Sequence, residues 1–278
     1  GKYEISGEIG RGAMGIVYRG EDPATHTTVA IKTLKLSEFD DKELDEFKER
    51  FFREAEAAGS LEHPNIISIL DAGEEQGLAY MAMEYIDGKN LLEFTRVENL
   101  LPLRDTLYII SQVADALSYA HNNNIIHRDI KPANIMLLKN TNNVKVMDFG
   151  IARIITSTKT KAGIVLGTPS YMSPEQVSGQ KLNGRSDIFS AGVVLFEMLT
   201  GQKPFVSDDI TSLMYEIVKK RHPSLREINP KIPSIIEKIV DKALEKDVAV
   251  RYQSAGLMAK HLRKIAERID QLRKKKSR

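Results

Sequence analysis

Four polar side chains in the middle of the chain have the types that phosphate and hydroxyl chemistry with a divalent metal requires. Asp129 and Asp148 supply carboxylates, Lys131 an amine and Asn134 an amide oxygen. Two short apolar runs around an Asn-rich turn separate Asn134 from Asp148, and this pattern predicts a β-hairpin. Such oxygen ligands suit Mg²⁺, which takes one or two carboxylates together with substrate phosphates. A free carboxylate beside the metal can accept a hydroxyl proton.

The order and spacing of these residues resemble the catalytic loop and the magnesium loop of protein kinases. The matching residues are His127, Arg128, Asp129, Lys131, Asn134, Asp148, Phe149 and Gly150. Lys131 and Pro132 resemble the serine/threonine branch of the family. The resemblance implies that Asp129 accepts or orients the substrate hydroxyl and that Lys131 steadies the transferring phosphoryl group. It also implies that Asn134 and Asp148 hold Mg²⁺, with Mn²⁺ as the alternative metal.

Length and composition predict a globular chain of one large or two modest domains. Its 278 residues allow a sizeable core. Forty Lys and Arg against 38 Asp and Glu give a formal charge of +2, too balanced to indicate nucleic acid as a partner. The lack of cysteine excludes disulfides, thiolate metal sites and a cysteine nucleophile. No apolar signal core and no run of about 18 apolar residues is present, so we expect a soluble, cytoplasmic chain.

A glycine-rich bend lies between two β-prone segments near the start of the chain. Gly10, Gly12 and Gly15 have the spacing of a dinucleotide-binding fingerprint, but that interpretation needs a helix at the last glycine. Here a strand continues, which favours a glycine-rich flap whose backbone N–H groups approach phosphates. Lys32 ends a Val-Ala-Ile-Lys strand and resembles the kinase lysine that holds the α- and β-phosphates.

A charged, helix-prone segment follows this strand. Phe47, Phe51, Ala55 and Ala58 recur at helical spacing, and at 100° per residue Glu54 falls on the same apolar stripe. An inward carboxylate needs a cation. The resemblance nominates Lys32, while a half-exposed glutamate at the edge of the stripe is the alternative. We therefore expect Glu54 to orient the lysine through an ion pair.

The polar segment after Met83 predicts the boundary between two lobes. We expect a small lobe at 1–85, a large lobe at 86–267 and a basic tail at 268–278. In the kinase resemblance Met83 is the gatekeeper, and the backbones of Glu84 and Ile86 bind adenine. The apolar residues expected around the nucleotide are Ile9, Val17, Ala30 and Met136.

The large lobe is predicted to be mostly helical. Apolar residues at helical spacing predict a helix over 103–122, and residues 187–200 are apolar on nearly every side, which predicts a fully buried helix. By resemblance, Asp187 ties down the backbone of the catalytic loop, and Arg251 pairs with Glu175.

The polar segment 151–166 resembles the activation segment of kinases. By resemblance Thr168 contacts Asp129 and Lys131. Arg128 beside a Thr-rich segment can dock a phosphate bidentately. We therefore expect regulation by autophosphorylation, at a site among Thr156, Ser157, Thr158 and Thr160, with Thr158 and Thr160 favoured.

These features together predict an α+β fold of the bilobal protein kinase type, with a small lobe of antiparallel strands plus one key helix and a large, mostly helical lobe. The implied activity is ATP-dependent phosphorylation of Ser and Thr in protein substrates. A nucleotide-binding pseudokinase and a small-molecule kinase are the alternatives. The motif wording resembles bacterial eukaryotic-type serine/threonine kinases, including receptor-like kinases of the PASTA type. That resemblance leaves open a homodimer through the small lobe and a membrane tether after the basic tail.

Overall fold

The chain folds into two lobes, which the computed structural model describes over residues 2–12, 15–34, 41–75, 77–149 and 169–276. The first lobe contains an antiparallel sheet and one helix. Its elements are β1 (Glu4–Gly12), β2 (Gly15–Asp22), β3 (Thr27–Leu34), α1 (Asp41–Gly59), β4 (Ile69–Glu75) and β5 (Leu78–Glu84). The sheet order is β1-β2-β3-β5-β4.

The second lobe is mostly helical. Its helices are α2 (Leu103–Asn122), α3 (Pro174–Val177), α4 (Gly184–Thr200), α5 (Ile210–Lys219), α6 (Leu225–Ile228), α7 (Ser234–Ala243) and α8 (Ala255–Lys276). A small antiparallel sheet faces the first lobe and consists of β6 (Gly88–Asn90), β7 (Ile135–Leu138) and β8 (Val144–Val146). This arrangement confirms the predicted α+β bilobal fold.

Helix α4 forms the centre of the large-lobe core. The residues from Ser186 to Thr200 are all buried, because the helix has apolar side chains all round. Asn183 caps its start by accepting the N–H of Arg185. Helices α2 and α7 pack against it. The predicted buried helix is confirmed, and it begins three residues earlier than its apolar pattern indicates.

Strand β4 differs in extent from the apolar run at 66–70, which by its composition predicts a strand. The strand begins at Ile69 and continues through polar residues to Glu75. It lies at the edge of the sheet, where one face and one side meet water and polar side chains are tolerated. Ile66 and Ile67 instead bond to the large lobe, since the N–H of Ile67 donates to the carbonyl of Val146 at 3.0 Å.

Helix α8 runs through the predicted boundary at residue 267. Arg104 of α2 donates to both carboxylate oxygens of Asp270, at 2.9 to 3.1 Å. Residues at the start of the predicted basic tail therefore pack on the large lobe. Among the helices that the structure describes, none is both long enough and apolar enough to cross a bilayer.

Candidate active site

The predicted hairpin is formed by β7 and β8 and fixes the two candidate metal ligands. Ile135 pairs with Val146 in the antiparallel register. Asn134 lies immediately before β7, and Asp148 follows β8 by two residues. The N–H of Met147 donates to the carbonyl of Asn134 at 2.8 Å. The open end of the hairpin is therefore closed by a backbone bond between Asn134 and the residue before Asp148.

The catalytic-loop residues contact one another directly. Lys131 Nζ lies 2.7 Å from Oδ2 of Asp129. The amide nitrogen of Asn134 donates to the same Oδ2 at 3.0 Å and to the Asp129 carbonyl at 2.8 Å. Because the amide nitrogen faces Asp129, the amide oxygen faces the other way and is left for a cation. Neither bond engages Oδ1 of Asp129.

Lys32 connects the small-lobe sheet to the large lobe. It lies on β3, opposite Val17 of β2 and Met81 of β5, and its ammonium is 2.8 Å from Oδ1 of Asp148. Burial raises the pKa of the Asp148 carboxyl, but the charge and the hydrogen bond of Lys32 outweigh burial, so the pKa lies below its ordinary value. The lysine thus favours the ionised form of Asp148, the form that a metal ligand needs.

Glu54 lies on α1 and is half-buried. Within the described part of the chain, the ion pair of Lys32 is with Asp148. The expected pair between Glu54 and Lys32 therefore stays a prediction.

One buried carboxylate fixes the backbone of the catalytic loop. Asp187 Oδ1 accepts the N–H of Arg128 at 2.8 Å, and Oδ2 accepts that of His127 at 2.9 Å. Nε2 of His121 is 2.8 Å from the same Oδ2 and carries the proton, since a carboxylate only accepts. Burial raises the pKa of Asp187, but the hydrogen bond and charge of His121 outweigh it, so the pKa lies below its ordinary value. These bonds confirm the predicted tie to the loop.

The catalytic loop and the metal loop each contain a residue in a backbone conformation that most residues avoid. Arg128 has φ of 69°, and Asp148 has φ of 62°, both in the left-handed region. Phe149 is buried, and its ring packs edge-on against His127 with centroids 4.5 Å apart. The buried aromatic contact joins the metal loop to the catalytic loop.

We predict that Gly184→Ala displaces His121. A Cβ at this position would lie 2.5 Å from Nδ1 of the imidazole, which its bond to Asp187 prevents from turning away. Overpacking of this kind costs about 1–3 kcal/mol in the free energy of unfolding, although alanine is the better helix former. Urea denaturation measures the loss. Gly7→Ala is the matched control, because nothing lies within 4 Å of its Cβ position, and equal stability of the two variants would contradict the prediction.

The glycine-rich bend is a hairpin between β1 and β2. Gly10 and Gly12 lie at the end of β1, where Ile9 is half-exposed, and Gly12 pairs with Gly15. Gly15 has φ of 155°, and a Cβ there would be 1.7 Å from the carbonyl oxygen of Thr33. Only glycine fits, so β2 can approach β3 closely at this point. A strand follows the last glycine, as the flap interpretation requires.

The expected adenine contacts lie on four strands and on the link after β5. Ala30 of β3 is opposite Met83 of β5, and both are buried. Val17 lies on β2, Met136 on β7 and Ile86 in the link after β5. Their convergence on a nucleotide stays a prediction.

The side chain of Glu84 is engaged by protein groups. Its Oε1 accepts Nζ of Lys145 at 2.6 Å and the N–H of Ser68 at 2.7 Å. The backbone N–H of Glu84 also donates to the Ser68 carbonyl, at 3.0 Å. A nucleotide at this link would therefore meet the backbone of Glu84, chiefly its carbonyl, as the resemblance implies.

A second buried ion pair joins Arg251 to Glu175 of α3. Nη1 and Nη2 of Arg251 donate to the two oxygens of Glu175 at 2.7 and 3.1 Å. Ser186 of α4 donates to the same carboxylate at 2.8 Å. Burial raises the pKa of Glu175, but the bond to Arg251 and its charge outweigh burial and lower it. The predicted pairing of Arg251 with Glu175 is confirmed.

Some expected residues lie outside the described part of the chain. They are Gly150, Thr156, Ser157, Thr158, Thr160 and Thr168. The sequence interpretation also missed His121, whose bond to Asp187 joins residues 66 positions apart. No local pattern signals a partner at that distance.

The donor set fits a nucleotide with its metal. One ionised carboxylate, Asp148, and one amide oxygen, Asn134, match the few protein ligands that Mg²⁺ takes when phosphates complete its shell. A lysine within 3 Å of that carboxylate supplies a cation for the phosphates. A bilobal fold with this site defines a protein kinase domain.

Comparisons with known proteins identify the same class of domain. The protein kinase domain family model matches residues 3–262, and the chain belongs to that family. It is 42% identical over 277 residues to the serine/threonine-protein kinase PrkC of Bacillus subtilis, covering 99% of this chain and 42% of that protein. It is 38% identical over 270 residues to the serine/threonine-protein kinase PknB of Mycobacterium leprae, covering 95% of this chain and 43% of that protein. The chain thus spans about two fifths of the length of these relatives.

Proposed function

We propose that this chain is an ATP-dependent serine/threonine protein kinase that transfers the γ-phosphoryl group to Ser and Thr hydroxyls of proteins. The ion pair between Lys32 and Asp148, at 2.8 Å, carries the proposal. It brings the lysine of the small-lobe sheet to the metal loop of the large lobe. Phosphoryl transfer needs mainly alignment and charge neutralisation, and these residues provide both.

Asp129 acts on the substrate hydroxyl. Lys131 and Asn134 both bond to its Oδ2, which orients the carboxylate and leaves Oδ1 to accept the hydroxyl proton. A base must lie within hydrogen-bond reach of the proton it takes. The tie of Asp187 to the loop backbone keeps Asp129 in place relative to the hairpin.

The cationic residues act on the phosphates. Lys131 neutralises charge on the transferring group, and Lys32 holds the α- and β-phosphates. Asn134 and Asp148 would hold Mg²⁺, or alternatively Mn²⁺, which when bound neutralises charge on the β- and γ-phosphate oxygens.

The test is a phosphorylation assay with radiolabelled ATP, a generic protein substrate and either Mg²⁺ or Mn²⁺. We expect label on Ser and Thr of the protein, lost when EDTA removes the metal and restored by excess Mg²⁺. Phosphorylation of a small molecule alone, or nucleotide binding without transfer, would contradict the proposal and favour a small-molecule kinase or a pseudokinase.

We predict autophosphorylation of the activation segment at Thr158 or Thr160. Arg128 precedes Asp129 in the catalytic loop, and a phosphate that docks on a guanidinium bidentately can order a segment. Mass spectrometry of the chain before and after incubation with ATP and Mg²⁺ measures it, with the Asp148→Asn variant as the inactive control. Phosphate elsewhere only, or none on an active enzyme, would contradict this prediction.

We also propose that the kinase domain lies in the cytoplasm and is tethered to a membrane. The relatives are more than twice as long as this chain, and the end of α8 carries Arg273, Lys274 and Lys275. Positive residues flanking a membrane helix stay on the cytoplasmic side, which supports a cytoplasmic kinase domain tethered to a membrane. The full gene sequence tests the tether.

We further propose that the chain forms a homodimer through the small lobe. Leu70 on edge strand β4 and Leu78 at the start of β5 are 50% and 44% exposed, so they offer apolar surface for such contact. Sedimentation analysis of the wild type and of Leu70→Glu tests it, and a monomer at every concentration would exclude it.

A further inference from the structure

An open cavity of about 480 Å³ lies in the large lobe, where the end of α2 meets the starts of α4 and α8. It is separate from the nucleotide cleft, since none of the candidate catalytic or nucleotide-binding residues lines it. Its volume falls within the range of sites that hold small organic ligands.

The cavity is lined by basic and neutral polar side chains. Two basic side chains, His121 and Arg185, face the cavity together with amides and hydroxyls, including Asn183, Gln253 and Ser254. None of the described lining residues is acidic. A guanidinium among neutral polar groups, without a carboxylate in the lining, suits an anion.

Arg185 is held in place for binding. Its Nε donates to Oδ1 of Asn183 at 3.1 Å, and Nη1 donates to Oε1 of Gln253 at 2.8 Å and to the carbonyl of Val248 at 3.4 Å. Within the described residues, Nη2 makes no such bond. A guanidinium fixed on two of its nitrogens loses little freedom when the third binds a carboxylate or phosphate oxygen.

His121 connects the cavity to the catalytic loop. Its Nε2 donates to Oδ2 of Asp187, at 2.8 Å, and that oxygen also accepts the backbone N–H of His127. An anion that contacts the ring restrains its position, and the ring in turn holds Asp187 through the bond at Nε2. Occupancy of the cavity would thereby stiffen the loop that carries Asp129.

We propose that this cavity binds a small organic anion, through a carboxylate or phosphate group at Arg185 and His121, and that its occupancy is transmitted to the catalytic loop. The transmission to the catalytic loop rests on the proposed kinase function, whereas binding of the anion does not. Binding is therefore measured on the full chain without ATP.

The test follows the Nε–H signal of Arg185 and the ring signals of His121 by NMR during titration. The probes are phosphoserine and malonate, with glycerol as the neutral control, at constant ionic strength. We expect saturable shifts with an apparent Kd below about 10 mM. Saturation by either anion supports the site, and the tighter one assigns its chemistry. Linear shifts, or equal shifts with glycerol, would overturn it.

Three variants test where the anion binds. Arg185→Gln should weaken binding about tenfold, the size of one hydrogen bond to a charged group, and Asn122→Trp should block the opening without removing a charge. Lys181→Gln removes a nearby exposed charge and should bind like the wild type. Equal weakening in Lys181→Gln and Arg185→Gln would mean general screening and overturn the proposal, as would unchanged binding in a folded Asn122→Trp. If binding is saturable, the transmission is tested by measuring kcat with and without the anion. A change in kcat supports the transmission, and an unchanged kcat contradicts it.

Discussion

Replacing Asp148 with asparagine is expected to lower kcat for protein phosphorylation by about 10³-fold or more, which corresponds to about 4 kcal/mol of transition-state stabilisation. Asp148 is the one charged residue of the two expected metal ligands, and its low pKa keeps it ionised. Asparagine leaves an oxygen acceptor for Lys32, so the fold should persist. The loss would therefore come from weaker metal binding, not from unfolding.

The measurement compares phosphate transfer by Asp148→Asn with transfer by the wild type at saturating ATP and Mg²⁺. Asp208→Asn is the matched control, since it makes the same change at an exposed position of the large lobe. Thermal melting of all three proteins checks the fold. Near-normal transfer by a folded Asp148→Asn would show that the metal assignment is wrong.

Arg251→Met should lower the free energy of unfolding by about 3–5 kcal/mol, because removing one partner leaves an uncompensated buried charge. Both oxygens of Glu175 would lose their guanidinium donors. The carbonyls of Arg185 and Glu245, which accept from Arg251 at 2.7 and 2.9 Å, would lose theirs too. The side chain of Arg251 is fully buried, so water cannot replace it without rearrangement.

Urea denaturation of Arg251→Met, Glu175→Gln and the double variant measures this effect and its coupling. The double variant should regain part of the loss, since no charge is then left unpaired. Lys89→Met is the control, because the pair of Lys89 and Glu93 is exposed and such pairs contribute about 0–1 kcal/mol. A loss in Arg251→Met no larger than in Lys89→Met would refute the predicted cost.

Short-range patterns in the sequence predict the residues that we propose carry out the chemistry. Asp129, Lys131 and Asn134 lie within six positions of one another, and the hairpin to Asp148 follows from its apolar runs and turn. The buried helix α4 was predictable for the same reason, since a helix that is apolar on nearly every side must lie in the core.

Long-range pairings could not be obtained from local patterns. The bond between His121 and Asp187 depends on how α2 and α4 cross, and the bonding of Ile67 to Val146 depends on how the lobes meet. Lys32 is likewise a strand residue whose partner among the described residues lies 116 positions away. The kinase resemblance supplied some such pairs, including Arg251 with Glu175, because a family motif carries tertiary information that composition and periodicity lack.

The anchoring of Ile67 has a mechanical consequence. Ile67 and Val146 are joined by a backbone hydrogen bond, and the N–H of Val146 donates in turn to the Asn65 carbonyl at 2.9 Å. The segment just before β4 is thus attached to the large lobe. The link after β5 is a second connection between the two lobes. We expect the cleft to open mainly by rotation of the small lobe about these two connections. Strands β1 and β2 lie on the side of the sheet away from β4, so they would travel farthest in such a rotation.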